Sequence, residues 1–271
     1  MSRITIPSIQ ERKNSSNKIA MLTCYDASFA RLLDNAQVDM LLVGDSLGMV
    51  VKGEDNTLSV SVDEVAYHTK AVARGSQKAH VVADMPFMSY HGSPEDAVLN
   101  AGQLLQAGAQ SVKLEGGKAI VPIIKKMVEA GIPVMGHIGL MPQKVHMMGG
   151  FKVQGKDEAG QQQILEDAQA IVEAGVFAMV LEGIPHHVAQ EVTQSVQVPT
   201  IGIGAGNQCD GQVLVIYDLL GLNTDFKPKF VKTYVDGANM IQEACRSYVK
   251  EVSDGSFPAQ EHSFSGPKTN D

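Results

Sequence analysis

One transition occurs three times along this chain. A helix-spaced apolar pattern ends in Ala-Gly, at Ala107–Gly108, Ala130–Gly131 and Ala174–Gly175, and a strand-like apolar run begins at once. Glycine there supplies the left-handed residue that closes a helix and turns the chain back. Upstream of the three pairs lie the stripes Ala97–Val98–Ala101–Leu104–Leu105, Ile120–Val121–Ile124–Met127–Val128 and Ile164–Leu165–Ala168–Ile171–Val172. Each repeats at i, i+1, i+4, i+7 and i+8 and so buries one face of a helix. A repeated helix, turn and strand unit favours a uniform βα array over two unlike domains.

The strand candidates are Ala20–Thr23, Met40–Val43, His80–Ala83, Ser111–Leu114, Pro133–Gly136, Phe177–Leu181, Pro199–Ile203 and Gln212–Ile216. Several are almost wholly apolar, as parallel strands covered on both faces must be. Eight such units in 271 residues predict an α/β fold, a (β/α)8 TIM barrel built as a single domain, since such barrels take about 250 residues. The eighth unit is open to a second reading, because Val213–Tyr217 also suits a helix. Residues 139–160, with Met147–Met148–Gly149–Gly150 and several lysines, form a long connection after the fifth strand, where a barrel carries a lid. From Asp254 the chain turns to Ser, Pro, Gly and Asn. The expected organisation is therefore a catalytic barrel over 1–253 and a loose tail over 254–271.

Composition excludes several functions. A net charge of −8 with no Lys/Arg cluster argues against nucleic acid as a partner. Three distant cysteines, Cys24, Cys209 and Cys245, suit free thiols in a reducing compartment. Residues 1–18 are polar, and no run of about 18 apolar residues occurs, so no membrane span and a cytoplasmic location are expected.

Barrel enzymes gather their chemistry at the carboxyl ends of the strands. Here those ends carry Asp45 and Ser46, then Asp84, Glu115, His137 and Glu182, from five successive strands. Each has a plainer reading by itself. Asp45 or Ser46 could cap a helix, Asp84 could hold a turn before Pro86, Glu115 and Glu182 could be solvated loop residues, and His137 could be a satisfied core histidine. Lys113 resists such a reading. It lies inside an apolar strand and shares a side with Glu115 by the period of two, and a buried ammonium needs a charged partner. Carboxylates without paired His or Cys favour a hard cation bound through oxygen, Mg²⁺ before zinc. The run Ile201–Gly202–Ile203–Gly204–Ala205–Gly206 reads either as a phosphate cradle or as a tight turn that lets substrate approach the backbone.

The segments Met21–Asp26, Val43–Gly48, Ala83–Phe87, Val112–Gly117, Gly136–Leu140, Leu181–Glu182 and Ile201–Gly206 together resemble the ketopantoate hydroxymethyltransferase (3-methyl-2-oxobutanoate hydroxymethyltransferase) family of the phosphoenolpyruvate/pyruvate barrel superfamily. The resemblance implies transfer of a hydroxymethyl group from 5,10-methylenetetrahydrofolate to the 2-oxo acid 3-methyl-2-oxobutanoate, giving 2-dehydropantoate in pantothenate biosynthesis through a Mg-stabilised enolate. It implies Mg²⁺ on Asp45 and Asp84, with Glu115 completing the site, and substrate held by Asp45, Ser46, Asp84, Lys113 and His137. Glu182 is the implied base, and a homodecamer the implied assembly. The alternatives are another C–C lyase or mutase of the superfamily acting on a 2-oxo acid, or a catalytically silent oligomeric barrel.

Overall fold

In the computed structural model, which describes residues 3–224, 227–264 and 266, the eight expected strands form. They are β1 (Ile19–Thr23), β2 (Met40–Val43), β3 (His80–Asp84), β4 (Ser111–Glu115), β5 (Val134–Gly139), β6 (Ala178–Glu182), β7 (Thr200–Ile203) and β8 (Gly211–Leu214). Every neighbouring pair is parallel, and β8 returns to β1 through Ile19↔Gly211 to Leu22↔Leu214, which closes a TIM barrel. The ambiguity over the eighth unit resolves in sequence order: Gly211–Leu214 is strand, and a short helix, Ile216–Leu219, follows at once.

The helices preceding that short one are α1 (Ile6–Gln10), α2 (Ala27–Asn35), α3 (Leu47–Val50), α4 (Val62–Gly75), α5 (Pro94–Gln106), α6 (Val121–Glu129), α7 (Val145–Met148), α8 (Glu158–Glu173) and α9 (His186–Ser195). The predicted Ala-Gly stops behave as the residue types dictate. Gly108, Gly131 and Gly175 hold φ of +113°, +80° and +104°. The residue after each reaches back to the helix, Ala109 N–H to Leu104 C=O at 3.2 Å, Ile132 to Met127 at 3.0 Å and Val176 to Ile171 at 3.3 Å. These bonds satisfy carbonyls that a helix end leaves unpaired.

Inward residues alternate along each strand. Ile19 and Met21, Met40 and Leu42, Val82, Met135, Ala178 and Val180, Ile201 and Val213 make one apolar core inside the barrel. At the amino ends of the strands α1 stoppers it: Ile9 is buried and Ile4 and Ile6 pack on the same core. Thr5 and Ser8 fix that helix start with a reciprocal capping box. The apolar filling occupies the lower layers, so the upper inward positions can be polar.

The chain divides into two compact units, residues 1–216 and 217–271. The first holds the whole barrel. The second contains α11 (Gly237–Asp254), numbering the short Ile216–Leu219 helix as α10; its first residue donates to Leu220 C=O at 2.9 Å. The tail expected from Asp254 onward is described to residue 264, with Phe257 against Tyr248 at a ring separation of 5.6 Å; residues 265 and 267–271 lie outside the described residues.

Candidate active site

The upper inward positions of β3 to β6 carry Asp84, Lys113 and Glu115, His137 and Glu182, and their register sets the contacts. Asp84 pairs with Lys113 and Glu115 with His137 across adjacent strands. Lys113 rises from the middle layer to place Nζ 2.8 Å from Asp84 Oδ1 and 3.4 Å from His137 Nδ1. His137 Nδ1 stands 3.4 Å from Glu115 Oε1, and its Nε2 stands 3.1 Å from Glu182 Oε2. That last approach is close in charge but not aligned as a hydrogen bond, and Nε2 is left buried without a donor or acceptor partner. His137 is thus no satisfied core histidine.

The loop after β2 adds two more groups. Asp45 N–H donates to Asp84 Oδ2 at 3.0 Å, and Asp45 Oδ2 accepts from Gln143 Nε2 at 2.8 Å. Ser46 precedes α3 without capping it through its side chain; its hydroxyl instead lies 2.9 Å from Tyr25 OH. Gly44 explains how these groups fit. A Cβ at that position would lie 2.6 Å from Ser46 Oγ, too close to stay, and would just touch Asp84 Oδ2 at 3.4 Å, so the bare backbone leaves the Ser46 hydroxyl its place.

Six predicted residues, Asp45, Asp84, Lys113, Glu115, His137 and Glu182, therefore form one connected cluster, with Ser46 beside it. Five are nearly sealed from solvent, whereas the Glu182 side chain retains 17% exposure, so it is the carboxylate most open to an incoming substrate. Burial, then the charges of Asp84 and Glu115, push Asp45 up to about 8. Burial also raises Asp84, against the pull of Lys113. Burial opposes the Lys113 charge, but Asp84, Glu115 and Asp45 outweigh it and hold the ammonium well above its usual range. Burial would raise Glu115 too, yet His137, Lys113 and the Gln143 N–H bring it down. His137 stands at about 9, because Glu115 and Glu182 overcome burial and the Lys113 charge.

Three residues of the site escaped sequence reasoning. Tyr25 sits at the end of β1, Tyr90 in the loop after β3, and Gln143 in the connection after β5. Tyr90 OH accepts from Glu115 N–H at 3.1 Å and donates to Gln143 Oε1 at 2.8 Å. A tyrosine or glutamine in a loop has no periodicity and carries no charge demanding a partner, so the only available signal was position beside the strand ends. Asp45, Asp84 and Glu115 each direct an oxygen to a donor of the protein. Among the described residues no three His, Cys, Asp or Glu side chains stand ready as a metal cluster.

A closed parallel barrel with this acidic, lysine-bridged mouth defines an α/β-barrel enzyme. The solved phosphonopyruvate hydrolase in complex with oxalate and Mg²⁺ shares the fold, with a TM-score of 0.64 at 13% identity over 97% of this chain and 93% of that one. So does 2,3-dimethylmalate lyase, a phosphoenolpyruvate mutase/isocitrate lyase superfamily member, with a TM-score of 0.62 at 15% identity over 100% and 93%. Residues 3–260 match the ketopantoate hydroxymethyltransferase family, and the chain belongs to it. Curated relatives named 3-methyl-2-oxobutanoate hydroxymethyltransferase include that of Trichlorobacter lovleyi, 56% identical over 97% of this chain and 99% of that protein. The Clostridium botulinum relative is 54% identical over 96% and 95%. Among the described residues no helix is long and apolar enough to cross a membrane.

Proposed function

We propose that this hydroxymethyltransferase moves a hydroxymethyl group from 5,10-methylenetetrahydrofolate to 3-methyl-2-oxobutanoate, giving 2-dehydropantoate for pantothenate biosynthesis. The observation that carries the reading is the joined cluster at the mouth, in which a lysine, a histidine and four carboxylates from five strand ends meet. The same proposal takes residues 1–253 as the catalytic domain, with 254–271 as tail, in a cytoplasmic homodecamer.

The donor set fits Mg²⁺. Asp45 and Asp84 are carboxylates raised by burial, with the charges of Asp84 and Glu115 adding to the rise at Asp45 and that of Glu115 to the rise at Asp84, an imbalance that a divalent cation relieves, and Mg²⁺ needs only one or two carboxylates besides water and substrate oxygens. Asp45 and Asp84 would hold it, with Glu115 completing the site. When bound, the cation supplies Lewis-acid stabilisation of negative charge on the substrate's oxygens.

The remaining work falls to the chain's own residues. Lys113, fixed by Asp84, presents a permanent positive charge to the oxo-acid carboxylate, and Ser46, oriented by Tyr25, offers a hydroxyl beside it. Asp45 and Asp84 line the same substrate seat. Glu182 takes the C3 proton: it is the most open carboxylate, and His137 beside Oε2 limits its swing. His137 then faces both the substrate and the newly formed hydroxyl. The connection over 139–160 covers the mouth and keeps water from the one-carbon unit.

Exchange of the C3 hydrogen of 3-methyl-2-oxobutanoate in D₂O, run with Mg²⁺ and without folate, isolates proton removal from group transfer. Glu182→Gln is expected to lower that exchange at least about 100-fold, the range for a lost general base, with Mg²⁺ affinity retained. Undiminished exchange removes Glu182 from the reaction.

A further inference from the structure

Between residues 141 and 157 the connection after β5 is exposed or half-exposed at every position except one. Met147 is 78% exposed, Phe151 52% and Val153 46%, while Gln143, in the 3-10 turn Pro142–Lys144, is 4% exposed. Gln143 is thus the one side chain that this loop buries, and it is neutral.

Three of the four hydrogen bonds that the Gln143 side chain can make are formed. Its Nε2 donates to Asp45 Oδ2 at 2.8 Å and to Met85 C=O at 2.9 Å. Its Oε1 accepts from Tyr90 OH at 2.8 Å, and its backbone N–H donates to Glu115 Oε2 at 3.1 Å. The orientation of the amide is therefore determined, because the flipped form would set Oε1 against two acceptors, Asp45 Oδ2 and Met85 C=O. One residue ties the loop to the ends of β2, β3 and β4.

We infer that Gln143 is a positioning residue: it fixes the Asp45 carboxylate for the cation, and so makes seating of the loop and binding of the cation a single coupled event. The inference rests on the proposed role of Asp45 as a metal ligand. An amide suits the task where a lysine or arginine would not. It donates to Oδ2 and favours the ionised carboxylate, yet adds no positive charge to compete with a cation, and it leaves Oδ1 free. Groups that orient metal ligands in this way change affinity by about 10–100-fold. Coupling is reciprocal, so a cation held by Asp45 must in turn favour the seated loop. Lys152 and Lys156, both exposed on that loop, give trypsin a way to report whether it is seated.

The test uses the full chain, with Mg²⁺ affinity by calorimetry and trypsin cleavage after Lys152 and Lys156 followed with and without saturating Mg²⁺. In the unsubstituted protein Mg²⁺ is expected to slow cleavage. Gln143→Met keeps the length and removes the hydrogen bonds; it should weaken Mg²⁺ roughly tenfold and make cleavage insensitive to the cation. Tyr90→Phe leaves the amide in place but removes the hydroxyl that orients it, and should shift both readouts the same way by less; it carries the test should Gln143→Met fail to fold. Wild-type affinity in the variants, or cleavage that is faster yet still slowed by Mg²⁺, overturns the inference, since a merely structural residue would behave so. Asp45→Asn separates the two levels. If it leaves Mg²⁺ affinity unchanged, the ligand assignment falls and the role of Gln143 with it. If it weakens affinity while Gln143→Met does not, only the positioning role falls.

Discussion

Buried aspartates occur at both ends of this barrel, and they are treated in opposite ways. Asp34, at the amino end, accepts from Ser76 Oγ and from the backbone N–H groups of Gln77, Lys78 and Ala79. Asp210, also at the amino end, accepts from Lys13 at 2.9 Å, Asn14 N–H at 2.9 Å and Thr200 N–H at 3.0 Å. Asp34 is 6% exposed and Asp45 5%, so both are shielded from solvent, but the Asp45 carboxyl lies far deeper among protein atoms. Burial would raise both, but the fixed N–H donors bring Asp34 down to about 2, whereas Asp84 and Glu115 add to burial and send Asp45 up to about 8. Carboxylates that brace strand starts are surrounded by donors. At the mouth Asp45 is set against Asp84 and Glu115, and that charge is what a substrate-activating cation would use.

The comparison can be broken by substitution. Asp84→Ala carries the largest expected effect, because it leaves the Lys113 ammonium buried without its closest partner, a loss of about 3–5 kcal/mol, and also removes a proposed metal ligand. Denaturant unfolding and calorimetry would read both. An unchanged unfolding midpoint together with unchanged Mg²⁺ affinity would contradict the assignment of Asp84. Asp34→Asn should lower stability by about 2 kcal/mol while C3 exchange per folded molecule stays at the wild-type rate. Reduced exchange in that variant would mean that the two ends are not independent. Asp45→Asn reverses the pattern: stability unchanged or raised by up to about 2 kcal/mol, as is usual when a strained functional charge is removed, with Mg²⁺ affinity lost.

How much of this was legible beforehand follows the same divide. The barrel could be read because its information is local and periodic: apolar strand runs, helical stripes, and Ala-Gly stops whose glycines hold positive φ. Asp45, Asp84, Lys113, Glu115, His137 and Glu182 could be read because a titratable group at a strand end, or a lysine inside an apolar strand, departs from the surrounding pattern. Gln143, Tyr25 and Tyr90 could not. Their importance lies in which carboxylate or hydroxyl they meet, Gln143 with Asp45 across 98 positions of the chain and Tyr90 with Glu115 across 25, and neither partner leaves a periodic mark. Asp34 was equally silent, since the N–H groups it gathers belong to any residue type. The turn of α2 into β2 was missed for a related reason, because Gln37 takes φ of +63° where the stops before β4, β5 and β6 use glycine.

The smallest expected effect, and the one that separates the two ends by sign, is in acid. Asp34 has its folded value below its unfolded one, so its contribution is present above about 4 and is lost as pH falls towards about 2. The stability gap between wild type and Asp34→Asn should hold level from pH 7 to about 4 and shrink by about 1 kcal/mol by pH 3. Asp45 is raised in the fold, so with chelator present its protonated form favours the native state below about 4 and that advantage is lost as pH climbs towards about 8. The gap between wild type and Asp45→Asn should therefore move in the opposite direction, with wild type losing ground as pH rises through that window. Two profiles of the same slope would show that the mouth carboxylates are braced like those at the amino end, and the electrostatic case for a cation there would lose its footing.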